Sequence, residues 1–274
     1  MVASMAGFAV EDAFLKAATR EVAVGMALVI LGLAGIVVFS GVALRAGAAP
    51  LPRSIISRTM AIRSGFEIVG RLFYALAIAL TPISTASAIL QATPLLVVLG
   101  AALIFGERIG WRRWGLILLG FAGVLIILRP GLEGFSALSL LALIAMAGFA
   151  GRDLATRAAP LALSNAQLGV TGFIMLTLSG VIILTVTGGA VIPSPATFGL
   201  LAGASVFGIM GYASLTQAMR TGAVGVVTPF RYSRLLFAVV LGVGVFGERP
   251  DAATLAGSAL IVTCGIVLLT RRDL

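Results

Sequence analysis

Four side chains in one apolar stretch fall on a helical spacing that such stretches rarely carry. Arg63, Glu67, Arg71 and Tyr74 stand at i, i+4, i+8 and i+11, so they share one helix face. Glu67 and Arg71 can pair along that face. Far along the chain, Thr228, Arg231 and Arg234 form a second polar face beside Tyr232, and Ser84, Ser87 and Gln91 form a third. A charge at bilayer depth costs about 2.5–3.5 kcal/mol on insertion scales, so it turns to protein or water. Two readings stand for the set: a lining that recognises a polar solute, or an ion-pair cluster that fixes helix packing.

One acid, Glu67, against Arg71, Arg231 and Arg234 leaves the set electropositive. The planar fork of a guanidinium suits a carboxylate or a phosphate. Tyr74, Tyr212, Tyr232, Phe66 and Phe230 are available to an apolar body, or to ordinary packing. The expected partner is a small molecule with a carboxylate, such as an amino acid; phosphorylated metabolites are the alternative. A permanent cation fits worse, because no unpaired acid is evident inside an apolar stretch. Proton traffic through Glu67 is disfavoured by Arg71 beside it. Asp12 with Lys16, and Asp153 with Arg157, are i, i+4 acid–base pairs that read as gate locks or as interfacial ion pairs.

Other chemistries are poorly supplied. The chain has no histidine, which removes the commonest general base and metal ligand. Cys264 is the single cysteine, so no intrachain disulfide or thiolate cluster exists. No metal, cofactor or enzymatic constellation is expected. The net charge of +9 comes from basic residues placed singly or in pairs at the ends of apolar runs, which suits membrane anchoring rather than nucleic acid.

Lipid-spanning helices must position these groups. Of 274 residues, 60% are apolar and 11% charged, against roughly 25% charged in an ordinary soluble domain. Apolar runs between charges and Pro/Gly breaks predict an all-α polytopic protein of ten transmembrane helices. Their ranges are 2–19, 22–44, 59–80, 82–105, 111–129, 135–157, 166–188, 195–219, 223–246 and 252–270. The opening segment does not read as a cleavable leader, since Glu11 and Asp12 interrupt it. Twelve basic residues, Arg63 among them, fall at the ends on the N-terminal side and four at the opposite ends. The positive-inside rule then puts both termini in the cytoplasm.

The two halves are related. Ala6-Gly7-Phe8-Ala9 with Asp12 and Lys16 reappears 141 residues later as Ala147-Gly148-Phe149-Ala150 with Asp153 and Arg157. Phe105-Gly106-Glu107-Arg108 maps onto Phe246-Gly247-Glu248-Arg249 at the same offset. Gly115, Gly123 and Arg129 map onto Gly257, Gly265 and Arg271 after one inserted residue. Five spans per half turn the second half over, giving inverted repeats, an arrangement suited to alternating access around a midplane site. Glu67, Arg71, Arg231 and Arg234 do not repeat, so they serve an asymmetry rather than the shared scaffold. The Phe-Gly-Glu-Arg segments read as helix-end structure, with Glu248 in interfacial water.

Small residues, Thr-Pro-Leu-Leu at 93–96, an apolar run, Phe-Gly-Glu-Arg and a glycine-containing last helix together resemble the EamA repeat of the drug/metabolite transporter superfamily. The resemblance covers residues 1–130 and again 131–274. Within that superfamily the pattern is similar to ten-helix bacterial inner-membrane exporters of amino acids and related metabolites, the YddG type. It implies one transport domain with a central cavity framed by the first, third, fourth, sixth, eighth and ninth helices. Leu235 stands where the first half has Pro94, a departure that makes the halves mechanically unequal.

Overall fold

The computed structural model describes residues 1–105, 110–128, 136–157, 163–221 and 228–270. Glu107, Arg108, Arg129 and Arg271 lie outside the described residues, as do the side chains of Arg157 and Thr228. Every regular element among the described residues is helical. In the first half these are α1 (Val2–Ala18), α2 (Val24–Arg45), α3 (Arg58–Leu80), α4 (Ile83–Leu90), α5 (Thr93–Phe105) and α6 (Trp111–Leu128). The second half supplies α7 (Ser139–Arg157), α8 (Asn165–Thr187), α9 (Pro195–Thr221), α10 (Ser233–Phe246) and α11 (Ala252–Thr270).

Local chemistry sets the ends. Ser57 accepts a hydrogen bond from the Met60 amide and caps α3. Ser164 and Gln167 form a reciprocal capping box at α8. Gly247, at φ 64°, closes α10 in the left-handed conformation.

The expected continuous stretch 82–105 is broken in the structure. α4 stops at Leu90, a turn passes through Gln91 and Ala92, and α5 starts at Thr93. Pro94 is the cause: within a continuous helix its ring would clash with the Leu90 carbonyl and its nitrogen could not donate. In the first turn of a new helix that missing donor costs nothing. The stretch 223–246 is divided too, with a 3-10 turn over Thr228–Tyr232 before α10.

Each major packing partner lies in the other half: α1 against α9, α2 against α8, α3 against α7, α4 against α10, and α6 against α11. The closest approaches are duplicated. A Cβ on Gly148 would meet the Gly70 nitrogen at 2.5 Å and the Phe66 carbonyl oxygen at 3.1 Å. A Cβ on Gly7 would meet the Gly211 Cα at 3.2 Å and the Phe207 carbonyl oxygen at 3.1 Å. Gly7, Phe66 and Gly70 stand 141 residues before Gly148, Phe207 and Gly211, so one contact is built twice with the halves exchanged. Only glycine lets the two backbones approach so closely.

Burial is reversed relative to a water-soluble protein. Asp12, Arg63, Glu67, Ser87 and Gln91 are buried, while Val37, Leu103, Val186 and Leu236 are each at least 65% exposed. Three helices are long and apolar enough to cross a membrane by themselves: Val24–Arg45, Asn165–Thr187 and Pro195–Ala218.

Candidate substrate cavity

A cavity opens where α1, α3, α7, α9, the α4–α5 break and the start of α10 converge. Its volume is about 80 Å³. Glu11, Asp12, Arg71, Arg152, Arg231 and Arg234 bring charge to the wall; Tyr74, Tyr212, Gln91 and Thr93 add dipoles. Phe8, Phe149, Leu90 and Pro94 supply apolar surface.

Two ion-pair networks hold the wall. In one, an Arg234 guanidinium nitrogen donates to Asp12 Oδ2 at 2.7 Å, and the Tyr74 hydroxyl donates to the same oxygen at 2.9 Å. The Arg234 guanidinium also lies over the rings of Tyr74 and Phe8, 5.1 and 5.3 Å from their centroids. This ties α1, α3 and α10 together with a fully partnered carboxylate oxygen.

The second network centres on Glu67, which has no solvent exposure. Arg63, Arg152 and Arg71 surround it at 3.0, 3.4 and 3.6 Å. Arg152 continues to Asp153 at 2.8 Å, and Asp153 to Arg231 at 3.2 Å. Arg152 also lies 5.0 Å from the centroid of Phe149, the repeat mate of Phe8. Arg71 is the loosest member: it faces Glu67 through Nε at 3.6 Å, and that nitrogen has no hydrogen-bond partner among the described residues. A buried charge with incomplete partnering is expensive, so Arg71 is the guanidinium best placed to accept a further anion.

The broken helix has a direct use. At the end of α4, the Gln91 side-chain amide nitrogen donates to the carbonyls of Arg231 and Tyr232, at 3.2 and 3.0 Å. Tyr232 is the repeat mate of Gln91, so the two chain breaks meet at the centre of the molecule.

A third cluster ties the end of α1 to the start of α4 and to the loop after α10. Glu248 accepts from the amides of Ile83 and Ser84, at 2.8 and 3.1 Å, and from the Ser84 hydroxyl at 2.8 Å. Lys16 reaches Glu248 at 3.3 Å and donates to the Thr81 carbonyl at 2.6 Å. Burial opposes ionisation of Glu248, but the two opening amides of α4, the Ser84 hydroxyl and Lys16 hold its carboxyl below the usual glutamate range. The negative group sits on the positive end of a helix.

Several expectations change on this geometry. Arg71, Tyr74, Gln91, Tyr212, Arg231 and Arg234 line the cavity. Glu67 does not; it lies behind Arg71 and Arg152 as a buried anchor. Arg63, counted at a helix end, is 4% exposed and serves the same anchor. Tyr232 turns away, its hydroxyl pressed against Gly265 of α11. Phe66 and Phe230 are exposed, and the Phe66 ring packs on Gly151 at the α3–α7 seam. Asp12 and Lys16 are not paired: Asp12 turns to Arg234 and Lys16 to Glu248, because tertiary partners offer better geometry than a neighbouring turn. Asp153 pairs with Arg152 and Arg231, and its expected partner Arg157 lies outside the described side chains. Glu248 is a part-buried cap on the start of α4 and pairs with Lys16. Sequence reasoning missed Glu11 and Arg152 as cavity residues. One signal was present: they are repeat mates of opposite charge, one residue before the duplicated aspartates.

Comparisons with known proteins agree with this architecture. A riboflavin transporter of Rhizobium johnstonii is 28% identical over 193 residues, 70% of this chain and 63% of that protein. A pseudopaline exporter of Pseudomonas aeruginosa is 29% identical over 206 residues, 73% of this chain and 72% of that protein. An S-adenosylmethionine uptake transporter of Rickettsia bellii is 27% identical over 205 residues, 72% of this chain and 66% of that protein. Thus the chain spans a little under two thirds of the length of the Rhizobium and Rickettsia relatives it matches. A solved crystal structure superposes with a TM-score of 0.65 at 20% identity, covering 98% of this chain and 97% of the other, which is a likeness of fold. The EamA-like transporter family matches twice, over residues 1–129 and 134–271, and the chain belongs to that family of integral membrane transporters.

Proposed function

We propose that the chain is a secondary transporter that exports amino acids or related small carboxylate metabolites across the bacterial inner membrane, both of its termini lying in the cytoplasm. Ten spans, arranged as inverted five-span repeats over 1–130 and 131–274, enclose one substrate cavity and expose it to each side in turn. The duplicated, half-exchanged glycine contacts support such a pseudo-twofold design. The observation that carries the substrate class is Arg71, which faces the cavity and whose Nε has no hydrogen-bond partner among the described residues. A substrate carboxylate offers the planar, bidentate acceptor that this guanidinium lacks. Tyr212 and Phe8 share the cavity wall with it and offer surface for the apolar part.

Uptake into proteoliposomes of labelled L-amino acids, organophosphates and cationic dyes tests the proposal. Saturable amino-acid flux with counterflow is expected, lowered about 10–100-fold by Arg71→Gln, the range of one charge-assisted hydrogen bond. Dye or organophosphate flux without amino-acid flux refutes the substrate class. Flux without saturation or counterflow refutes alternating access.

A further inference from the structure

The linker between α2 and α3 is basic, apolar and ordered at once. Arg45, Arg53 and Arg58 are exposed, and between them Leu51 and Ile56 stand 55% and 88% exposed. Residues 22–66 contain no acid. The fourth base of that stretch, Arg63, is buried on Glu67. Among the described residues the other three guanidiniums enter no ion pair and donate no hydrogen bond. The segment is nevertheless held in place. Gln167 of α8 donates to the Ala49 carbonyl at 2.9 Å, Pro50 and Pro52 restrict the backbone, and a 3-10 turn closes over Arg53–Ile55.

Where this strap meets α3 lies a second cavity of about 310 Å³, whose lining includes Ile56, Ser57, Arg58, Ala61 and Ser64. It shares no lining residue with the substrate cavity. Next to it an apolar track runs down the outside of α3. Arg58, Ile62, Phe66 and Val69 follow at i, i+4, i+8 and i+11 on one helix face, and the three apolar members are 47%, 42% and 37% exposed. Exposed Ala61 and Gly65 join the cavity to the track, and a Cβ on Gly65 would meet nothing within 4 Å. From Arg58 to Val69 the track is about 16 Å long at 1.5 Å per residue, close to the roughly 15 Å of hydrocarbon in one leaflet.

We infer that this is a binding site for an anionic phospholipid, with the headgroup phosphate in the cavity and an acyl chain along Ile62, Phe66 and Val69. Arg58 and Arg53 supply the counter-charge. Ser57 accepts from the Met60 amide, which leaves its hydroxyl proton to donate, and Ser64 adds a second hydroxyl. A soluble anion would satisfy the arginines but not the track, and a neutral lipid the track but not the arginines. A membrane-anchored phosphate satisfies both. The orientation proposed above decides only which leaflet supplies it. The location bears on the carrier as well. The Phe66 ring packs on Gly151 of α7, at the seam that buries Glu67 with Arg63 and Arg152. A lipid along the track covers the outer edge of that seam and steadies α3 against α7.

Native mass spectrometry of the full, delipidated chain in detergent tests this, with dioleoylphosphatidylglycerol and dioleoylphosphatidylcholine as probes. Phosphatidylglycerol should bind the more tightly. Arg53→Gln with Arg58→Gln should weaken it about 30-fold, at about fivefold per arginine beside the phosphate. The paired lysine variant, Arg53→Lys with Arg58→Lys, should bind as wild type does. Arg112→Gln should change nothing, since that arginine lies over the Trp111 ring at the start of α6. Phosphatidylglycerol with a photoreactive acyl chain should cross-link within residues 58–69. Equal binding of the two lipids, an equal loss in Arg112→Gln, or cross-links spread evenly over the apolar helices overturns the inference. Displacement by sn-glycerol 3-phosphate alone would make the cavity a soluble-phosphate site and overturn it too. None of these readouts requires transport, so a failed substrate reading leaves them standing.

Discussion

Neutralising Glu248 should loosen the cluster that joins Lys16, next in sequence to the cavity-lining Leu15, to the start of α4. The carboxylate receives two amides that open α4 and one hydroxyl, all within 3.1 Å, and faces Lys16 at 3.3 Å. Glu248→Gln keeps the shape and one acceptor oxygen. It removes the charge that roughly doubles the strength of each bond and that complements the helix end. Rehydration of the opened carboxylate offsets part of this, and a net loss of about 2 kcal/mol is reasonable for a group so little exposed. That corresponds to about a 30-fold shift toward the loosened form. Ile78, 1% exposed on α3 less than a turn from Thr81, is a suitable reporter once the buried Cys264 is replaced by alanine. With Ile78→Cys in that background, an impermeant maleimide should react about 30-fold faster in the Glu248→Gln protein. An unchanged rate would refute the idea that this cap restrains the end of α3. The sign with pH is fixed as well. The folded-state carboxyl ionises below its ordinary value, so the cap is complete above that value and is lost as pH falls through the lowered one.

Acid should therefore raise maleimide labelling of the Ile78→Cys protein only as pH falls below the ordinary glutamate range and leave its Glu248→Gln derivative flat. Asp12→Asn strips Arg234 of its buried partner and should lower stability by about 3–5 kcal/mol, read as a fall in Tm in detergent. Gly148→Val and Gly7→Val wedge apart the two copies of one contact and should each destabilise by about 1–3 kcal/mol, Gly148→Val the more because a Cβ there meets backbone at 2.5 Å against 3.1 Å at Gly7; an innocuous Gly7→Val would break the equivalence. Tyr232→Phe removes a buried hydroxyl that has no partner among the described residues, so thermal stability should hold or rise and flux should not change.

Periodicity and composition made the helices legible, because an apolar run of span length has few other homes. Residue spacing also singled out Arg71, Tyr74, Gln91, Arg231 and Arg234 on separate helix faces, which the fold gathers around one cavity. Which charge pairs with which was not legible. Asp12 and Lys16 share a helix face, yet their partners come from α10 and from the loop after it, 222 and 232 positions away. Only the tertiary fold ranks those partners above a neighbouring turn. The breaks were half legible: Pro94 marks the first, whereas Leu235 at the equivalent position gives no such signal. Glu11 was hidden for another reason. An acid next to Asp12 near a helix end looks like a solvated pair until the fold seals α9 over it.

The exchange of partners between the halves has a consequence for biosynthesis. α1 leaves the ribosome well before the helix it packs against, which begins only at Pro195. α7 finds α3 already waiting, and α6 waits for α11, the last helix described. The nascent N-terminal segments must therefore sit in lipid, or with the insertion machinery, carrying Glu11 and Asp12 without their final neighbours. Translation pausing between residues 157 and 195, or a truncation there, should strand an insertion intermediate open to membrane proteases, whereas chains reaching α11 should lock together almost at once.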